Sequence, residues 1–403
     1  MKTTDFLIIG SGVIGLNVAL KLKAKYPSRK VIVLEKEKNL GAHSSGRNSG
    51  VIHAGFYYTA DSMKARFTRE GNERTRDYCK LKNIPVNMCG KLVVTKNEDE
   101  ENTLDELARR GQANGVKLEV ISKIEAQKIE PRVKTVRRAI WSPNTGSVDP
   151  TEVLRHLHED ALQSGIEFQF ESTYLGILEK NPSSTTVKTN HGPIQAGFVV
   201  NTAGLYADRV AMDFGFSKEF RILPFKGLYI YSNEKPGSFR TNIYPVPDLG
   251  YPFLGVHFTL TVDGKAKIGP TAIPAFWREQ YSLTENFKFN ELCEILWREL
   301  KLFAHSDFDF RNLAIEEIKK YSRGHMVNLA KALANDIDAA DFKKWGKPGI
   351  RAQLYNIKTN KLEMDFKFEG DQRSFHVLNA VSPAFTAAIP FADHVTSKIA
   401  ELV

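Results

Sequence analysis

The chain has 403 residues, 42% of them hydrophobic and 26% charged, which is ample for a sizeable core and too long for one simple domain. A net charge of +9 is modest at this length and excludes little; it reads as a solvated basic surface, an acidic substrate or an anionic membrane being other uses of such charge. Cys79, Cys89 and Cys293 are odd in number and lack metal-ligand spacing, so reduced thiols of an intracellular protein are expected, with no disulfide framework and no metal site.

The chain opens with "DFLIIG", a short apolar run stopped by glycine, as a buried parallel strand should be. "SGVIGLNVALKLKAKYP" then takes helical periodicity as far as Pro27, and "KVIVLEKE" is a second buried strand ending in acid. The run "FLIIGSGVIGLNVALKL" lacks a small-residue cleavage site and is broken by Gly, Ser and Asn, so neither a signal peptide nor a membrane span is expected. Gly10, Gly12 and Gly15 form G-x-G-x-x-G at the strand-to-helix turn, and Glu35 follows Gly15 by 20 residues. Gly10 allows the tight turn, Gly12 lets backbone approach a pyrophosphate, and Gly15 brings helix and strand together. The helix N-terminus attracts the anion, and Glu35 accepts from ribose hydroxyls. Ile14 and Lys36 flank these positions and are counted with them.

The second strand runs straight into "GAHSSGRNSGVIHAG", whose small residues permit a second close approach of backbone to a long, narrow ligand. Ser44, Ser45, Arg47, Asn48 and Ser49 supply donors to phosphate and ribityl oxygens, which points to FAD rather than NAD. "KNEDEENTLDEL" is a helix start with a solvated face. "QAGFVVNTAGLYADRVA" repeats the strand, small-residue turn and helix pattern, with Ala203 and Gly204 at the turn. Between 216 and 345, "LPFKGLYIYSNE" through "KAKIGPT" alternates apolar and polar residues, as does "KLVVTKNEDEE"; that is the period of an antiparallel sheet with one covered face. Residues 285–340 have helical periodicity and mix aromatics with Lys and Arg; a helical cap on the substrate domain is expected, with docking on an anionic membrane as the alternative. "HVLNAVSPAFTAAIPFADHVTSKIAEL" closes the chain as strand, turn and helix, with Ser382 as N-cap and Pro383 at the first helical position. Ser382, Pro383, Ala384, Phe385 and Thr386 would then aim a helix N-terminus at the flavin.

In order along the chain, "IIGSGVIG", "GRNSGVIHAGFYY", "CGKLVV", "YPVPDLGYPFLGVHFTLTVDG", "GPTAIPAFWREQY", "KPGIRAQ" and "NAVSPAFTAAIP" resemble the glycine oxidase and D-amino-acid oxidase superfamily of FAD enzymes, and within it the L-2-hydroxyglutarate oxidase/dehydrogenase branch. Two positions depart from that branch: Arg47 stands where His is usual, and Leu228 where an acidic residue is usual. The resemblance implies an α/β protein, with a discontinuous Rossmann-like FAD-binding domain (1–85, 145–215 and 346–403) and an α+β substrate domain on a mixed or antiparallel sheet (86–144 and 216–345). It implies oxidation of a 2-hydroxy acid, most specifically L-2-hydroxyglutarate to 2-oxoglutarate, with oxygen or a membrane quinone accepting the electrons and no nucleic-acid partner. A cytoplasmic location follows, with peripheral contact at the inner face of the membrane as the variant. An amine or amino-acid oxidase of the same superfamily and a non-catalytic flavin-binding protein are the competing readings.

That chemistry needs a carboxylate clamp, a base and a path for hydride. Arg351 in "KPGIRAQ" is the expected clamp, through its bidentate fork, and is counted near the flavin as well. Lys226 in "PFKGLY" is a second cation for a dicarboxylate's far end, against a solvated strand lysine. His53 and His257 are the candidate bases, because a histidine accepts a proton near neutrality. Tyr57, Tyr58 and Tyr244 are candidates to orient substrate through their hydroxyls, or else packing residues with a wet tip.

Overall fold

A computed structural model describes residues 1–249, 253–305 and 310–403. Residues 250–252, inside the "YPVPDLGYPFLG" stretch, and 306–309, inside the expected helical region, lie outside the described residues. The architecture is α/β, and the chain divides into two compact units: Met1–Asn48, Pro150–Leu223 and Arg351–Val403 make the first, Ser49–Asp149 and Pro224–Ile350 the second.

In the first unit the opening apolar run becomes β1 (Lys2–Ile9), whose central residues Leu7 and Ile8 are wholly buried. β2 (Val31–Leu34) and the strand Ile194–Asn201 flank β1 in parallel, with Ile9 opposite Leu34 and Asn201. Glu167–Gln169 extends the parallel order beyond β2 and Ser374–Asn379 beyond Ile194–Asn201, and antiparallel strands complete the sheet on the Ile194–Asn201 side. Parallel strands need crossovers that cover both faces, and this is why these strands read as continuous apolar runs rather than alternating ones. α1 (Val13–Lys25) is one cover, burying Val13, Leu16, Val18, Ala19 and Leu22. The last helix, Ala384–Ala400, packs beside it, with Lys21 and Asp393 paired at 2.9 Å across their rim. The partners are 32% and 40% exposed, so that pair contributes at most about 1 kcal/mol. Ser382 is not the cap of this helix: Pro383 is the N-cap residue and Ala384 the first helical one. Ser382 is exposed and lies one residue too early, because the turn is closed by Ala384 N donating to Val381 O at 3.0 Å.

The second unit is built on an eight-stranded sheet. Its order is Phe342–Trp345, Ile230–Ser232, Ala266–Gly269, His257–Leu260, Asn242–Pro245, Lys91–Val94, Arg138–Ser142, Glu119–Ser122. The sheet is mixed: Lys91–Val94 runs parallel to Asn242–Pro245 and antiparallel to Arg138–Ser142. The alternating sequence pattern suggested one covered face, but its central strands are buried on both. Leu92, Val94, Ile243 and Phe258 face one core, roofed by Met326, Val327 and Ala330 of the helix Arg323–Lys331. Val93, Tyr244 and Ile140 face another, roofed by Leu104 and Leu107 of the helix Glu100–Ala113 together with Phe56. Residues 49–85, expected with the nucleotide domain, lie in this unit. The reason is tertiary: Val51–Ile52 pairs with Gly146–Val148, which also pairs with Val86–Asn87.

Candidate active site

The glycine turn of the first unit is backbone packed on backbone. Gly10 has φ +102°, a conformation that side chains disfavour, and a Cβ there would lie 2.6 Å from Thr202 O. A Cβ on Gly15 would lie 2.0 Å from Gly10 O, and one on Gly12 2.9 Å from Ser45 Oγ. α1 begins after Gly12, which has no side chain to cap with, and its first turn carries no acid. Val13 N donates instead to Ser45 Oγ at 3.0 Å, so the serine loop is pinned to the positive end of α1. Asn48 Nδ2 bonds Ser45 O at 2.7 Å and holds that loop. Glu35 Oε2 accepts from Ser11 N at 3.1 Å and Ser11 Oγ at 2.6 Å, while Oε1 accepts from Glu37 N at 3.0 Å. The carboxylate is thereby fixed beside the turn, with acceptor capacity left for sugar hydroxyls. Thr202 Oγ1 donates toward Ile9 O and Gly10 O, and Gly204, at φ +53°, has open space where a Cβ would be. Lys36 pairs with Glu37 near the Tyr206 ring, and Arg47 is half-buried in the serine loop.

Of the other expected contacts, Ile14, Pro383, Ala384 and Thr386 are buried and Phe385 is half-buried. Ala203 N donates to Asn201 Oδ1 at 3.1 Å. Ser49 belongs to the second unit, where its Oγ accepts from Val51 N and its carbonyl from Lys267 Nζ at 3.1 Å. Arg351 is half-buried in the strand Gly349–Asn356.

Within the second unit the structure gathers four of the chemistry-bearing side chains. Ile243 lies opposite Phe258, so Tyr244 and His257 share one face of the sheet; their rings stack at 3.7 Å between centroids. His257 Nδ1 lies 2.8 Å from Gly255 O. A carbonyl only accepts, so Nδ1 carries the proton and Nε2 is the acceptor nitrogen. His53 sits half-buried just after Val51–Ile52, its carbonyl bonded by Asn72 Nδ2 at 3.0 Å. Burial, and then the charge of Lys91, push its imidazole down to about 3. Burial raises the Tyr244 and Tyr57 phenols, so both stay protonated. Lys226 is not a solvated strand lysine: it is 4% exposed, and burial lowers its affinity for a proton while Glu285 partly restores it. It lies on a different sheet from Tyr244 and His257, its strand Phe220–Gly227 pairing with Ile273–Pro274. Leu228, next along the chain, donates its N–H to Thr271 Oγ1 at 3.0 Å.

Lys91, the lysine of "CGKLVV", carries no motif that marks it for a role. Its side chain is wholly buried, and its Nζ has no hydrogen-bond partner among the described residues. It lies 4.7 Å from the Phe56 ring centre, 4.6 Å from Tyr57 and 4.7 Å from Tyr244.

A Rossmann-type turn whose glycines cannot be substituted without collision, followed by a serine-rich loop pinned to the same helix end, defines a dinucleotide-binding oxidoreductase. The chain belongs to the FAD dependent oxidoreductase family, whose pattern it matches over residues 5–397. It is 38% identical to the mitochondrial L-2-hydroxyglutarate dehydrogenase of Nematostella vectensis, over 98% of this chain and 90% of that protein. It is 35% identical to the human mitochondrial protein of the same name (98% and 88% covered) and 33% identical to the L-2-hydroxyglutarate dehydrogenase of Escherichia coli K12 (99% and 94%). Among solved structures, L-alpha-glycerophosphate oxidase from Mycoplasma pneumoniae, solved with FAD bound, has the same fold at a TM-score of 0.79, with 22% identity and 99% and 95% covered. Glycine oxidase from Geobacillus kaustophilus follows at 0.76, with 16% identity and 100% and 96% covered.

The residues present fit FAD. The tight glycine turn at the start of α1, the α1 end free of acids and the fixed Glu35 carboxylate match a pyrophosphate and a ribose.

Proposed function

We propose that this enzyme oxidises the hydroxyl carbon of a 2-hydroxy dicarboxylate, L-2-hydroxyglutarate, to 2-oxoglutarate. The observation that carries the reading is the stacked Tyr244–His257 pair, which offers a fixed proton acceptor on a buried sheet face, taken together with near-full-length relatives bearing that substrate's name. Bound FAD supplies the acceptor for the C2 hydride. His257 takes the hydroxyl proton on Nε2, since Gly255 O holds its Nδ1 proton. His53 is the weaker base: a group that binds a proton only near pH 3 has little drive to accept one at neutrality, so it serves as a neutral hydrogen-bonding contact. Tyr244 orients His257 by stacking and donates its hydroxyl. Arg351 clamps a carboxylate, and Lys226 is the further cation.

Formation of 2-oxoglutarate, followed with an artificial electron acceptor across a panel of 2-hydroxy acids and amino acids, tests this reading. Activity confined to glycine, sarcosine or D-amino acids would replace it with the amino-acid oxidase reading.

Peripheral docking on an anionic bilayer, with a quinone as electron acceptor, is supported by the helix Phe289–His305. Ile295 and Leu302 are buried, but Trp297 and Leu300 are 61% and 60% exposed, with Lys301 beside Trp297. None of the described helices is long and apolar enough to cross a membrane. Co-sedimentation with phosphatidylglycerol vesicles, lost in Trp297→Glu/Leu300→Glu, is the expected result.

A further inference from the structure

Fully buried lysines are nearly always paired, because an ammonium out of water needs an acceptor. Lys91 is fully buried, and what surrounds it is aromatic. Phe56 and Tyr57 stack on one another at 4.4 Å and present their faces from the segment after His53. Tyr244 presents its face from the neighbouring strand, where Asn242 is the register partner of Lys91. Three ring faces ease the presence of a cation but accept no hydrogen bond of ordinary strength. The hydroxyl of Tyr57, whose ring centre lies 4.6 Å from Lys91 Nζ, is likewise buried without a partner among the described residues. Two donors of the cluster that holds His53, Tyr244 and His257 therefore lack an acceptor among the described residues.

Among the described residues, the titratable groups against Lys91 or its ring cage are His53, Tyr57 and Tyr58 on the segment after Val51–Ile52, Tyr244 on the neighbouring strand, His257 on the strand beyond it, and Cys89 on the turn before it. None is a carboxylate. Burial accordingly lowers Lys91 to about 7, so that near neutrality a substantial fraction is the neutral amine.

We propose that Lys91, with the Tyr57 hydroxyl, is a receptor for a substrate carboxylate, and that binding the anion draws one proton from solvent onto the lysine. This rests on the 2-hydroxy-acid reading and deepens it. The balance is simple: the amine and a solvent proton give the ammonium, which then donates to the carboxylate, with Tyr57 as the second donor. The sign follows. An anionic neighbour raises the lysine's pKa, so affinity is fully developed below the free-site value of about 7 and falls above it, roughly tenfold per pH unit until the bound-state value is reached. Lys91 also joins the two parts of the cluster, because its cage takes rings both from the His53 segment and from the ring stacked on His257.

The test is calorimetric titration of 2-oxoglutarate into the oxidised holoenzyme at about pH 8, in buffers of different ionisation enthalpy, which reads the protons taken up per site. Wild type takes up close to one proton at that pH and close to none at about pH 6. Lys91→Arg binds without uptake, since its charge is permanent, and Lys91→Met binds at least about tenfold more weakly, also without uptake. Lys91→Met retaining its flavin and its far-UV circular dichroism shows that the fold survives. Zero uptake by wild type at pH 8, or the same uptake in Lys91→Met, would overturn the inference, and a buried water would then satisfy the two donors. Flavin reduction by 2-hydroxy acids in the same wild-type preparation keeps that failure distinct from failure of the proposed function.

Discussion

The Tyr244 and His257 rings stack at 3.7 Å with 23° between their planes, and the Gly255 carbonyl fixes which nitrogen of His257 carries the proton. His257→Ala therefore removes the acceptor, and kcat should fall about 10²–10⁴-fold. Tyr244→Phe keeps the stacking surface and loses one hydroxyl, so its loss should be far smaller, about tenfold. Steady-state kinetics on folded, flavin-loaded variants checks the contrast; equal losses would make the pair a packing unit.

His53 contributes to a window of acid stability, as does the buried His376. Its native pKa of about 3 lies below the ordinary value near 6.5, so between those two pH values the unfolded chain binds a proton that the native one refuses. Stability is lost as the pH falls through that window, by about 2 kcal/mol between pH 6.5 and 5 if His53 acts alone. Urea unfolding of His53→Gln at the two pH values should show a smaller drop than wild type.

The Lys91 ammonium is held where burial disfavours it, so replacing it by an uncharged side chain of similar length removes a cost. Lys91→Met should raise Tm at neutral pH by a few degrees, less whatever the three ring contacts contributed. Differential scanning calorimetry reads this, and a gain in Tm alongside a loss of affinity is the pattern expected of a functional site.

Gly12→Ala should weaken FAD binding at least about tenfold, because the new Cβ meets Ser45 Oγ and fills the approach to the end of α1. Gly12→Ala with Ser45→Ala should recover part of that loss only if the collision, rather than lost access to the phosphates, is the main cost. The ratio of flavin to protein absorbance after gel filtration measures both.

Arg351→Ala should raise KM steeply with a smaller effect on kcat, since a carboxylate clamp binds ground and transition states alike. Arg351→Lys should recover only part, because a point charge lacks the fork.

The nucleotide turn was legible because its causes are local: a glycine at φ +102° and two backbone contacts too close for a Cβ leave their mark within a few residues. The cap of the last helix was misread by one residue, because Ser382 is a good N-cap type and only the Val381–Ala384 turn displaces it. Residues 49–85 looked continuous with the nucleotide motif, and the partners that draw them to the second unit lie near Gly146–Val148, far along the chain. Lys91 was missed for the same kind of reason. Its cage joins Phe56, Tyr57 and Tyr244, and no local pattern brings those together.

The most direct test mixes the purified, oxidised protein anaerobically with L-2-hydroxyglutarate and follows flavin absorbance near 450 nm. Rapid bleaching by that compound, and not by its D-enantiomer or by glycine, is the predicted result. A protein that carries no flavin and takes up no added FAD, or a flavin that no 2-hydroxy acid reduces, would contradict the account.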